Sequence, residues 1–280
     1  SLFVTLPIMA KSYANKLNFD SATYYYTKAA DMFDTNFQTQ IAAGSFLQAH
    51  ADNYDLALKY YNRALHIAEK NNDSIDIGSS YNNIGVVYQT QSDYNKALEF
   101  HNKALTIWKA KLGEEGINVA ISYNNIGSVY SHKGDYDKAL DFYNKALSIQ
   151  KSILGEEHFV VAHSYSHIGS VYQKKDKYDK ALEFYNKALS IQKSIFGEEF
   201  IVVATSYNNI GDVYYDKGEY NKALEYFDKA LPIYLSKGHE ADKMIFLLYE
   251  SKALCYSALG DTDKAEEYLK KAAEIEQRLK

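Results

Sequence analysis

A period of 42 residues runs along the chain and constrains its fold more than any other feature. Tyr81, Tyr123, Tyr165, Tyr207 and Tyr249 stand at that interval, as do Ile84, Ile126, Ile168 and Ile210, and Gly85, Gly127, Gly169 and Gly211. A second series, Tyr94, Tyr136, Tyr178 and Tyr220, is followed each time by Lys-Ala-Leu: Lys96–Leu98, Lys138–Leu140, Lys180–Leu182 and Lys222–Leu224. Periods of about 20–50 residues belong to arrays in which each repeat buries its apolar face only against its neighbours.

Each period holds two helical patterns. Tyr123, Ile126, Gly127 and Tyr130 recur at i, i+3, i+4 and i+7, one face of a first helix. Tyr136, Ala139, Leu140, Tyr143, Ala146 and Leu147 trace the apolar stripe of a second. Between them, Gly134 suits the left-handed position that ends a helix, and Asp135 can cap the next one. So short a turn predicts antiparallel packing of the two helices. Glycine inside a helix costs about 1 kcal/mol relative to alanine. Its recurrence at one place therefore predicts close helix approach, with Ala139 and Ala146 opposite Gly127 and the tyrosines filling the spaces between successive pairs. Composition agrees: 2 prolines permit long uninterrupted helices, and 46% apolar residues suffice for a core.

These residues resemble the tetratricopeptide repeat, whose signature is an aromatic, a Leu/Ile-Gly pair, a tyrosine, then alanine, an aromatic and alanine at fixed offsets. The resemblance covers nearly the whole chain. It implies an all-α fold, a right-handed superhelical solenoid of about seven antiparallel helix pairs forming a single array over residues 1–280. Repeats fall near 3–36, 38–71, 78–111, 120–153, 162–195, 204–237 and 246–279. The first two are degenerate. Ser45 stands where glycine is expected, and Pro7 predicts a shortened helix that it opens. Leu112–Glu115, Leu154–His158 and Phe196–Glu199, followed by Val-Ala, resemble the repeats of kinesin light chains. The proline usual in those loops is replaced here by Gly116, Phe159 or Ile201.

The resemblance also implies that the first helices line a concave groove holding an extended peptide segment. On that basis the peptide-contacting residues are Asn82, Asn83, Asn124, Asn125, Ser128, His132, His163, Ser166, His167, Ser170, Asn208, Asn209, Asp212 and Glu250. The paired asparagines suit that role, because an amide offers a donor and an acceptor together. The competing reading is that these amides bond neighbouring repeats. Phe46, Ala42 and Val86 predict an apolar early groove, and Asp212 and Glu250 an acidic later one, matching a ligand with an apolar and a basic end.

Other classes are disfavoured. A net charge of −5 and pI near 5.9 argue against nucleic acid as a partner. Lone Cys255 excludes an internal disulfide framework and fits a reducing, cytoplasmic compartment. No apolar run reaches the roughly 18 residues that would span a bilayer, so no membrane insertion is expected, and Leu2–Ala10 lacks the basic lead of a signal peptide. His163 and His167 have the i, i+4 spacing of a metal site. No glutamate follows His163, however, and His167 stands where other repeats carry asparagine. The Gly-Glu-Glu loops read as a solvated rim. Glu99–Lys103, Asp141–Lys145, Glu183–Lys187 and Glu225–Lys229 read as a charged outer face. There is no phosphate-binding glycine loop and no Ser/His/Asp constellation, so neither an enzyme nor a cofactor is expected. The expected function is a protein-interaction scaffold that grips a peptide segment of a partner protein. The alternative is the sensing or regulatory arm of a larger signalling protein, with a covalently linked effector domain beyond Lys280.

Overall fold

A computed structural model describes residues 2–15, 18–50 and 53–279. Among these, fourteen α-helices form seven sequential pairs: α1 (Leu2–Asn15) with α2 (Phe19–Met32), α3 (Phe37–His50) with α4 (Tyr54–Lys70), α5 (Ser74–Thr90) with α6 (Tyr94–Leu112), and α7 (Ile117–His132) with α8 (Tyr136–Leu154). The later pairs are α9 (Phe159–Lys174) with α10 (Tyr178–Phe196), α11 (Ile201–Asp216) with α12 (Tyr220–Leu235), and α13 (Asp242–Ala258) with α14 (Thr262–Leu279). The chain divides into two compact units, residues 1–149 and 150–280, each a stack of helical hairpins. No helix of the described residues is long and apolar enough to cross a membrane.

The hairpin turns explain part of the period. A left-handed residue recurs at one phase, Ser92 (φ 61°), Gly134 (φ 79°), Asp176 (φ 55°), Gly218 (φ 76°) and Gly260 (φ 80°). Where the next residue is aspartate it caps the second helix: Asp93 accepts from Lys96 N at 3.2 Å, and Asp261 from Lys264 N at 3.1 Å, whereas Lys177 and Glu219 make no side-chain cap bond. In three of the four Lys-Ala-Leu segments the lysine then pairs with the turn, while Lys180, following Lys177, keeps only the Tyr172 ring at 5.3 Å. Lys96 pairs with Asp93 at 3.2 Å and lies 4.9 Å above the Tyr88 ring. Lys138 does the same with Asp135, at 2.7 Å, and Tyr130, at 5.1 Å. Cap, ion pair and cation–π contact thus meet on one lysine.

The tyrosines work chiefly inside the hairpins, not only between them as expected. Phe100 of α6 lies between Tyr81 and Tyr88 of α5, with ring centroids 6.0 and 5.5 Å away. Phe142 is held by Tyr123 and Tyr130 at 5.9 and 5.6 Å, and Phe184 by Tyr165 and Tyr172 at 5.9 and 5.5 Å. The recurrent glycine also has a different partner from the alanines proposed for it. A Cβ on Gly127 would stand 3.0 Å from the Tyr143 ring, and one on Gly211 only 2.5 Å from Phe227. Glycine makes the seat for a large ring of the second helix. Its helix cost is offset by the burial of that ring.

Two further expectations change. In α3 the seat is Gly44, whose Cβ would be 2.6 Å from Tyr61, and Ser45 instead accepts the Tyr61 hydroxyl at 3.1 Å. From Gly44 to Tyr61 the chain runs one residue further than from Gly127 to Tyr143, which shifts the motif. Pro7 lies inside α1 rather than opening it. There it removes a single backbone bond in the second turn, close to the helix end.

Within each unit the first helices of successive pairs touch directly, α3 with α5, α5 with α7, and α11 with α13. Among α2, α4 and α6, and among α10, α12 and α14, no two second helices come comparably close. The first helices therefore make the inner wall of each stack, and the second helices its outside.

Candidate functional site

In the unit of residues 1–149, α5 and α7 carry the wall. Asn82, Asn83, Asn124, Asn125 and Ser128 are half-buried on it, and His132 is exposed. Asn125 donates its amide to Asn82 Oδ1 at 2.7 Å, and Gln89 donates to Ser128 Oγ at 2.8 Å. Both bonds tie adjacent repeats together. The Asn83 side chain, by contrast, has no hydrogen-bond partner among the described residues. The asparagines that look alike in sequence therefore divide into bonded and open ones. Phe46 does not line this wall. It is 6% exposed, stacked on Tyr26 at 4.7 Å, because the aromatics of α2 and α3 withdraw it into the core.

In the unit of residues 150–280, α9 presents His163, Ser166, His167 and Ser170; α11 presents Asn208, Asn209 and Asp212; and α13 presents Glu250. His163 and His167 are exposed and the others half-buried. Ser166 is spent on its own helix, bonded to Ala162 O at 3.2 Å. Gln173 donates to Asp216 at 2.7 Å, again linking repeats. Asn208 donates to Asp212 at 2.9 Å, while Asn209, like Asn83, has no partner among the described residues. Burial, then the neighbouring charge of Asp216, pushes the Asp212 carboxyl up to about 7. Among the described residues no group of three or more His, Cys, Asp or Glu side chains is placed to hold a metal ion.

A layer under the wall was missed by the sequence reading. Tyr143 meets Ser128 through its hydroxyl, and Tyr185 donates its own to Gln173 at 3.3 Å while also meeting Ser170. Burial pushes both phenols up to about 12, so they stay protonated. The signal was present: serine on the first helix accompanies tyrosine sixteen residues after the glycine on the second, at Ser128 with Tyr143 and Ser170 with Tyr185. Asp216 was missed as well, since nothing in the repeat marks it as facing Gln173.

The wall and its hairpins are similar to known proteins. Residues 37–110, 76–152, 118–194, 160–236 and 202–278 match the tetratricopeptide repeat, and residues 15–32 match the Sel1 repeat. No curated protein matches the chain significantly. Among solved structures, BtubC (BKLC) from P. vanneervenii is 23% identical, with a TM-score of 0.69 over 81% of this chain and 92% of that one. The apo form of RapI is 19% identical, with a TM-score of 0.70 over 99% of this chain and 98% of that one. A Rap protein complexed with Competence and Sporulation Factor is also 19% identical, with a TM-score of 0.69 over 99% of this chain and 76% of that one. At these identities the likeness is one of fold. With the repeat matched over nearly all of residues 37–278, the chain belongs to the tetratricopeptide repeat family.

Proposed function

We propose that this chain is a protein-interaction scaffold that binds extended peptide segments of a partner along the first-helix wall of each of its two units. The observation that carries this reading is the pair Asn83 and Asn209. Each is half-buried on an inner helix, and each has an amide with no partner among the described residues. An amide partly removed from water loses hydration that only a new hydrogen bond restores. An extended backbone supplies the matching donor and acceptor together. A structure of similar fold has been solved as a complex of a Rap protein with Competence and Sporulation Factor, and a binding role is carried over from it to this chain as part of the proposal.

The test is selection of displayed random peptides on the full chain, followed by fluorescence anisotropy of the selected peptides. The Asn83→Ala/Asn209→Ala double variant should bind them at least about tenfold more weakly, with unchanged thermal unfolding. Selected peptides that bind this variant as tightly as the wild type would overturn the reading.

A further inference from the structure

The peptide-wall reading leaves open what chemistry the wall selects, and one face of it answers that question while resting on that reading. In three hairpins the wall hydroxyl is met from below by a phenol. Tyr61 donates to Ser45 at 3.1 Å, Tyr143 reaches Ser128, and Tyr185 reaches Ser170. The α11–α12 hairpin changes both partners at once. Asp212 stands where the serine would, and Phe227, wholly buried, takes the place of the tyrosine. The Phe227 ring is seated on Gly211 as the Tyr143 ring is on Gly127. It has no hydroxyl to offer upward.

The Asp212 carboxylate is left with the Asn208 amide, at 2.9 Å, as its one hydrogen-bond donor among the described residues, and with no ion pair. A half-buried anion in that state gains most from a cation brought by a ligand. The adjoining inner helix supplies the rest of the face. On α13, in direct contact with α11, Leu254 is the counterpart of Asp212 and Leu247 that of Thr205. They are 53% and 51% exposed. Glu250 lies between them on the same helix, half-buried and without an ion pair among the described residues. Two open leucines, one turn either side of a carboxylate, form an unpartnered face whose charge selects its occupant.

We infer that the α11–α13 face takes a partner segment presenting one lysine or arginine between apolar side chains, the cation on Asp212 and its neighbours on Leu247 and Leu254. A ligand carboxylate would be repelled here, and a wholly apolar segment would leave Asp212 and Glu250 unanswered.

The test compares two labelled peptides on the full chain by anisotropy. One carries Leu-Leu-Arg-Leu-Leu between Gly/Ser flanks, and the other has citrulline, neutral and of nearly the same shape, in place of arginine. Wild type should prefer the arginine peptide by about tenfold or more. Asp212→Asn should reduce it to the citrulline level. Phe227→Tyr, which keeps the carboxylate but places a hydroxyl beneath it as Tyr143 and Tyr185 do, should weaken the arginine peptide by about threefold or more. Equal binding of both peptides to wild type overturns the inference, as does an arginine preference that survives Asp212→Asn. Selected neutral peptides that need Asn83 and Asn209 but ignore Asp212→Asn would remove this inference and leave the peptide wall standing.

Discussion

Ser206 donates its hydroxyl to Gln192 at 2.5 Å, fastening α11 to the preceding second helix, α10. The same bond joins Ser164 to Gln150 at 2.6 Å. One repeat earlier the glutamine is replaced by Trp108, whose indole donates instead to Ile75 O at 3.3 Å. Ser122, the counterpart of Ser206, is thereby left buried with no hydrogen-bond partner. One serine is thus a staple and the other an unmet polar group in the same place.

The two should respond oppositely to alanine. Ser206→Ala leaves the buried Gln192 amide oxygen unmet and should cost about 1–3 kcal/mol. Ser122→Ala removes an orphan and should be neutral or slightly stabilising, within about 0.5 kcal/mol. Urea midpoints of both variants against wild type decide the matter. Equal losses would mean that the bond contributes nothing beyond packing.

His101 offers a prediction with a pH signature. It fills the seat over Gly85 that Tyr143 and Phe227 fill over theirs, is wholly buried, and has no partner for either ring nitrogen. Burial lowers its pKa from 6.5 to about 4. The unfolded chain therefore binds the extra proton first. The stability that comes with the neutral ring is present above pH 6.5 and is lost as the pH falls toward about 4. His101→Phe should raise stability at neutral pH by about 1–3 kcal/mol and flatten the acid limb of the unfolding curve. An unchanged acid limb would show that carboxylates alone set it.

Ser92 tests the turn geometry. It holds φ 61° where Gly134, Gly218 and Gly260 hold 79°, 76° and 80°. A side chain in that region costs about 1–2 kcal/mol, and glycine returns part of the gain as unfolded-chain entropy. Ser92→Gly should stabilise the protein by about 0.5–1 kcal/mol in thermal unfolding. Asp176, at φ 55°, should gain less, because its carboxylate accepts the Tyr178 hydroxyl at 2.9 Å.

Much of the fold was legible because the repeat writes each contact several times. Helix pairs and turns follow from Tyr123, Gly127, Gly134 and Ala139, and the identity of the inner helices from the resemblance to the tetratricopeptide repeat. The partners of those residues were less legible. Gly127 answers the Tyr143 ring rather than the backbone near Ala139 and Ala146, a choice that depends on how deeply the second helix sets its aromatic. The asparagines defeated the pattern in another way. Asn125 and Asn209 occupy equivalent positions, yet Asn125 meets Asn82, whereas the residue before Asn209's repeat mate is Ser166, bonded to its own helix. Periodicity assigns a face. It does not say which neighbour across that face has a matching group.

The Asp212 carboxyl ties the wall to pH. Its pKa is raised from 3.8 to about 7, by burial and then by Asp216, so the folded protein holds a proton that the unfolded chain releases. Its contribution to stability is full below pH 3.8 and is lost as the pH rises through about 7. Asp212→Ser restores the hydroxyl that Ser128 and Ser170 present, and it should raise the melting temperature at pH 8 while changing it little at pH 5. Joined with Phe227→Tyr it recreates the Ser170–Tyr185 pair and should add further stability of about 0.5–1.5 kcal/mol. Ligand binding should move the other way, an arginine peptide losing affinity as wild type is taken from pH 8 to pH 6. A wild type whose arginine affinity is flat across that range would mean that Asp212 does not meet the cation.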